Sequence, residues 1–68
     1  MTDRDMIISV LLYTDSITMH MTEKDMKDQT EFYESRSTRE LLLEVMNLYN
    51  YYDIEVVKHV ENYIRTCF

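Results

Sequence analysis

Not one glycine or proline occurs in 68 residues, and this limits the ways the chain can turn. Glycine is the residue that adopts positive φ without steric cost, and proline pre-sets the turns that begin near −65°. Tight β-hairpins lean on glycine at their central positions, so a β-rich domain is disfavoured. The chain is expected to be mainly α, with helices joined by Asn, Asp and Ser turns. A chain this short buries only about 60% of the surface its unfolded form exposes, so it forms one small domain of modest stability. Small domains are usually helped by disulfides, metals or partner chains. The single Cys67 rules out an internal disulfide, which makes a partner, or self-association into a homo-oligomer, the expected support. With 46% apolar and 29% charged residues, the composition is that of a folded chain rather than a disordered one.

The single domain, residues 1–68, divides into segments by pattern. Thr2 and Asp5 have capping-box spacing, and Met6, Ile7, Val10 and Leu11 follow with helical period, predicting a helix over about 3–13. Ile17, Met19 and Met21 alternate with Thr18, His20 and Thr22, predicting a short half-buried strand over 16–21. Residues 22–36 read as a polar loop with at most one helical turn from Thr22, and Glu23, Asp25, Asp28 and Glu31 are expected there without fixed partners. Ser37 and Glu40 form a second capping-box pattern before Leu41, Leu42, Val45, Met46, Tyr49 and Tyr52, predicting a helix over 38–50. Asp53 then caps a helix over 54–66, with Val56, Val57, Val60, Ile64 and Cys67 on one face and Glu61 one turn before Arg65. One continuous helix through 38–66 also fits the 4,3 apolar spacing. Asn47, Asn50 and Asp53 are poor helix-interior residues and favour the break.

Thirteen acidic against seven basic side chains give a net charge of −6. Binding nucleic acid or an anionic membrane requires the opposite sign, so neither is expected, whereas a basic protein partner is compatible. Solubility alone also accounts for such an excess of acids. The longest apolar run, Val10 to Tyr13, is too short to span a bilayer. The opening Met1-Thr2-Asp3-Arg4-Asp5 has no basic segment of the kind that begins a signal peptide. A cytoplasmic or nuclear protein with a reduced Cys67 is the expectation.

Catalytic chemistry finds little purchase. Without glycine there is no phosphate-cradling or calcium-binding loop. Glu55, His59 and Asn62 share one helical stripe, but two good ligands fall short of a zinc site. His20 lies between Met19 and Met21, yet alternation turns it away from both thioethers. Cys67 has no base beside it in the sequence. The chain is therefore read as not an enzyme, with no cofactor and no metal. Of six tyrosines, four lie between Tyr49 and Tyr63. Tyr49, Tyr51 and Tyr52 point to different sides of a helix, so part of this set faces outward, where tyrosine serves interfaces well.

The run Glu31-Phe32, Glu40-Leu41-Leu42-Leu43-Glu44-Val45-Met46 and Asn50-Tyr51-Tyr52-Asp53-Ile54 resembles the closing, helical half of the elongin C and S-phase-kinase-associated adaptor family, within the BTB/POZ superfold. There an E-L-L-x-A-A-N-[FY]-L-D type motif ends one helix and leads into the last ones. Glu44, Asn50 and Asp53 match its polar positions, and Val45, Met46, Tyr51 and Tyr52 its apolar ones. Residues 5–14 resemble the family's preceding helix. The resemblance implies a truncated ubiquitin-ligase adaptor that binds an F-box or elongin-box type amphipathic helix through its C-terminal helices. Partner contact is then expected at Tyr13, Val45, Met46, Tyr49, Asn50 and Ile54. Two departures accompany it. The family's β-rich half has no room here, and its Ala-Ala pair is replaced by Leu48-Tyr49, which fills or reshapes the family's pocket. The alternative reading is a small acidic inhibitor from a virus or mobile element, acting by nucleic-acid mimicry or by binding a host protein.

Overall fold

Four side chains set the starts of four helices. In the computed structural model, which describes residues 2–67 except for the Tyr49 side chain, Thr2, Thr22, Ser37 and Asp53 each accept a hydrogen bond from the backbone N–H three residues on, at 3.1–3.2 Å. These satisfy amide donors that a helix start leaves unpaired. The helices are α1 (Asp3–Thr18), α2 (Glu23–Glu34), α3 (Thr38–Tyr51) and α4 (Ile54–Cys67). At α1 and α2 the cap is reciprocal, because Asp5 and Asp25 accept from the amides of Thr2 and Thr22.

The helix ends show how the chain manages without glycine. No described residue has positive φ, so none of the left-handed caps that usually close helices is present. Instead α1 and α3 stop where Met19 and Tyr52 turn extended, with ψ of 146° and 151°. The end of α2 is closed from a distance. The Arg4 guanidinium on α1 donates to the carbonyls of Glu34 at 2.8 Å and Arg36 at 2.6 Å, and to Thr38 Oγ1 at 3.3 Å. A cation at a helix C-terminus satisfies free carbonyls and complements the helix dipole.

The other three helices pack chiefly on α1, not on one another. Ile8, Val10, Leu11, Thr14 and Asp15 are buried on it, and at about 100° per residue they sweep nearly half its circumference, enough to face several neighbours. Leu41, Leu48, Tyr33 and Val60 complete the core. The buried Thr14 hydroxyl donates to Val10 O at 2.9 Å, so it adds no unpaired polar group.

Two expectations are corrected. The strand over 16–21 is absent; among the described residues every regular element is a helix. Residues 16–18 continue α1, where Ser16 and Thr18 hydroxyls donate to the carbonyls of Tyr13 and Thr14. Ile17 and Met19 are exposed, so their alternation marks no buried face, and a strand without a neighbour leaves its backbone unpaired. The polar loop over 22–36 is instead α2, on which Glu23, Asp25, Asp28 and Glu31 lie. Met26, Gln29, Thr30 and Tyr33 form its inward stripe. The extended Tyr52 separates α3 from α4, so 38–66 is not one helix.

Candidate functional site

Because α2 and α3 both pack on α1, a groove opens between them. Phe32, Tyr33 and Arg36 line one side of it, and Glu40, Leu43, Glu44 and Asn47 the other, around a volume of about 320 Å³. It continues into a second cavity of about 190 Å³, which shares Tyr33, Glu44 and Asn47 and adds Leu11, Asp15, Leu48, Tyr51 and Tyr52. Glu40, Leu43, Glu44, Asn47 and Tyr51 recur at helical spacing, so one stripe of α3 forms the whole length of that wall.

The α2 wall is held by polar contacts. The Arg36 guanidinium lies 4.4 Å from the centre of the Phe32 ring and donates to Glu40 Oε2 at 3.0 Å. The Ser37 hydroxyl, then Arg36, hold the Glu40 carboxyl below its ordinary value. Deeper in, the Tyr33 hydroxyl donates to Asp15 Oδ2, and Gln29 Nε2 donates to the same oxygen at 3.2 Å. Burial, then the bond to Asp15, pushes the Tyr33 hydroxyl well above the ordinary tyrosine range, so it remains a neutral donor.

Beside the groove, α3 also turns apolar side chains to solvent. Leu43 is 50% exposed, Met46 64% and Ile54, just past the end of α3, 69%. Leu41, two residues before Leu43, is completely buried. The helix is thus apolar on both its core side and its outer side, more than packing on α1 requires.

Of the six side chains named from the sequence, the structure describes five and separates them. Met46, Asn50 and Ile54 are exposed on or just beyond α3. Val45 is half-buried in a seam with Val10, Leu48, Val57, Val60 and Ile64, where only about 20 Å³ is free. That is about one water's worth, so the α3–α4 seam is core and not an open groove. Tyr13 stacks on Tyr63 of α4 with ring centres 4.1 Å apart and planes within 5°. It borders an open cavity to which α3 contributes nothing. The Tyr49 side chain lies outside the described residues. Sequence reasoning missed Asp15, Phe32, Tyr33, Leu43, Glu44, Asn47 and Tyr51 as one site. The Thr22–Asp25 spacing, the same signature as Thr2–Asp5, together with Met26 and Tyr33 on one face, signals the helix α2 but not its place opposite α3.

Among the described residues no three His, Cys, Asp or Glu side chains converge as a metal site, and His20, His59 and Cys67 are exposed. No described helix is long and apolar enough to cross a membrane. The outer face of α2 mixes Lys24 and Lys27 with Asp28 and Glu31, so it is not a row of one charge. No protein-family model, curated protein or solved structure matches the chain.

Proposed function

We propose that the chain is a non-enzymatic protein-interaction module that takes an amphipathic helix of a partner into the α2–α3 groove and onto the outer face of α3. The observation that carries this reading is the exposure of Leu43 and Met46 beside a groove walled by Phe32, Glu40, Glu44 and Asn47. A helix lying in such a groove recognises its host through apolar anchors one turn apart, with polar groups on the rims fixing the register. Each leucine-sized anchor contributes about 1.5–3 kcal/mol on burial, while a micromolar complex needs about 8 kcal/mol. Three or more anchors must therefore engage, and Phe32, Leu43, Met46 and Ile54 supply that number. The adaptor resemblance narrows the partner to an F-box or elongin-box type helix, and the narrower assignment rests on that resemblance alone.

The test is a titration of the isotope-labelled protein with three synthetic helices: an F-box type, an elongin-box type and a basic amphipathic one of unrelated sequence. Saturable amide shifts concentrated at Phe32, Leu43, Met46, Asn47 and Tyr51 support the groove. Response to the first two peptides alone supports the adaptor assignment. Shifts confined to α2's outer face or to the Tyr13–Tyr63 side, or no saturable shift with any peptide, overturn the reading.

A further inference from the structure

We infer that the cavity at the Tyr51 end of the groove is a receptor for one cationic side chain, a lysine or arginine on the partner helix. The inference deepens the proposed function and rests on it for how the side chain arrives. The preference for a cation comes from the cavity itself.

Two acids and no bases line it. Asp15 and Glu44 stand among Leu11, Tyr33, Asn47, Leu48, Tyr51 and Tyr52, and no described Lys, Arg or His borders the space. Arg36, the basic residue on the adjoining stretch of groove, is already occupied by Glu40 and the Phe32 ring. Asp15 is only 7% exposed, which makes its carboxylate costly to leave unsatisfied. Yet both hydrogen bonds it accepts from described donors end on Oδ2. Oδ1 accepts none from a described donor, and since no described buried side-chain N or O atom lacks a partner, it keeps some contact with solvent; Asp15 is itself one of the residues lining the cavity. A buried carboxylate that lines a cavity and has one oxygen without a described donor is a ready acceptor for a charged donor.

The walls fit the same ligand. Tyr33, Tyr51 and Tyr52 bring three aromatic rings to the space, Tyr51 at the rim with 80% of its surface exposed. Aromatic faces attract ammonium and guanidinium groups, more so where water is partly excluded. Asn47 adds a neutral polar group. At about 190 Å³ the cavity is below the usual range of about 300–1,000 Å³ for small-molecule sites, but it accommodates the end of one long side chain. A hard divalent ion fits poorly, since such ions require a cage of oxygen ligands and the described residues hold no cluster of metal-ligating side chains. The net charge of −6 would also speed the approach of a basic partner.

The experiment uses n-butylammonium chloride as the probe, with 1-butanol and potassium chloride as controls, titrated into the isotope-labelled protein at constant ionic strength. The expected result is saturable shifts at Asp15, Asn47, Tyr51 and Tyr52 with butylammonium only, weakened at least fivefold in Glu44→Gln. Glu44 is exposed, so this variant folds even if Asp15→Asn does not. Equal shifts with potassium, or small shifts at every exposed acid alike, overturn the inference, as does unchanged binding in Glu44→Gln. Butylammonium binding without binding of any amphipathic helix leaves the receptor standing and removes the groove reading. The reverse outcome removes the receptor alone.

Discussion

The Tyr33 hydroxyl of α2 donates to Asp15 Oδ2 of α1, joining residues 18 apart in sequence at the base of the candidate groove. Tyr33 is 5% exposed and Asp15 7%, so each answers the other's need for a partner away from water. The same contact holds the carboxylate of Asp15, a residue that lines the second cavity.

Tyr33→Phe removes the donor and leaves Gln29 as the remaining described donor to that carboxylate. The expected cost is about 1–3 kcal/mol, read as a lower denaturant midpoint. The substitution also changes behaviour in alkali. The folded state holds the Tyr33 proton more tightly than the unfolded chain, whose ordinary value is 10.0. Stability from this group is therefore complete below about pH 10 and is lost as pH rises beyond it. Unfolding midpoints measured from pH 8 upward should decline above pH 10 in the native protein and decline less in Tyr33→Phe.

Arg4 substitutes for the glycine cap that α2 lacks. Arg4→Ala unpairs the carbonyls of Glu34 and Arg36 and frees the turn that leads to Ser37 and Thr38. A loss of about 2 kcal/mol is expected, and hydrogen exchange should speed first at the end of α2. Arg4→Lys should recover only part of it, because an ammonium lacks the fork that spans several acceptors.

Thr22→Ala should cost about 1 kcal/mol and loosen the first turn of α2, whereas Thr22→Ser should be close to neutral. Circular dichroism across a denaturant series distinguishes these outcomes. The contrast bears on what was legible in the sequence. Ser37 and Asp53 announce α3 and α4 because cap, helix and apolar stripe are local and agree. Thr22 offers the same cap, but α2 that follows buries only Tyr33 outright, so its apolar period is faint and its charges dominate. The Ile17–Met19–Met21 alternation misled for the opposite reason: it is a clear local pattern, yet Ile17 and Met19 are exposed and 16–18 are helical. The groove was not legible at all, since it joins Asp15 of α1, Tyr33 of α2 and Glu44 of α3, and only packing on α1 brings those three together. Of the side chains named from the sequence for partner contact, Met46, Asn50 and Ile54 are exposed. Val45 and Tyr13 went to internal contacts because α4 brings the Val57–Val60–Ile64 stripe and the Tyr63 ring against them.

Acid should weaken the helix starts. Hydrogen bonds from Thr2 lower the Asp5 carboxyl, and those from Ser37 and Arg36 lower Glu40. Groups held below their ordinary values, 3.8 and 4.5 here, stabilise the fold above those values and cease to do so as pH falls through the lowered ones. Asp5→Asn and Glu40→Gln should each flatten the decline of stability below about pH 4.5. An unchanged acid limb in both variants shows that the caps do not couple to folding.

The central claim is that the outer side of α3 is kept apolar for a partner and not for the core. The direct test is one double variant, Leu43→Ser with Met46→Ser, measured for denaturant midpoint and for affinity towards whichever amphipathic helix binds the native protein. Both side chains are at least half exposed, so the account predicts a stability change within about 1 kcal/mol, the range of two ordinary surface substitutions, and at least a tenfold loss of affinity. A fall in stability of about 2–5 kcal/mol, the range of core truncations, or an affinity equal to that of the native protein, contradicts it.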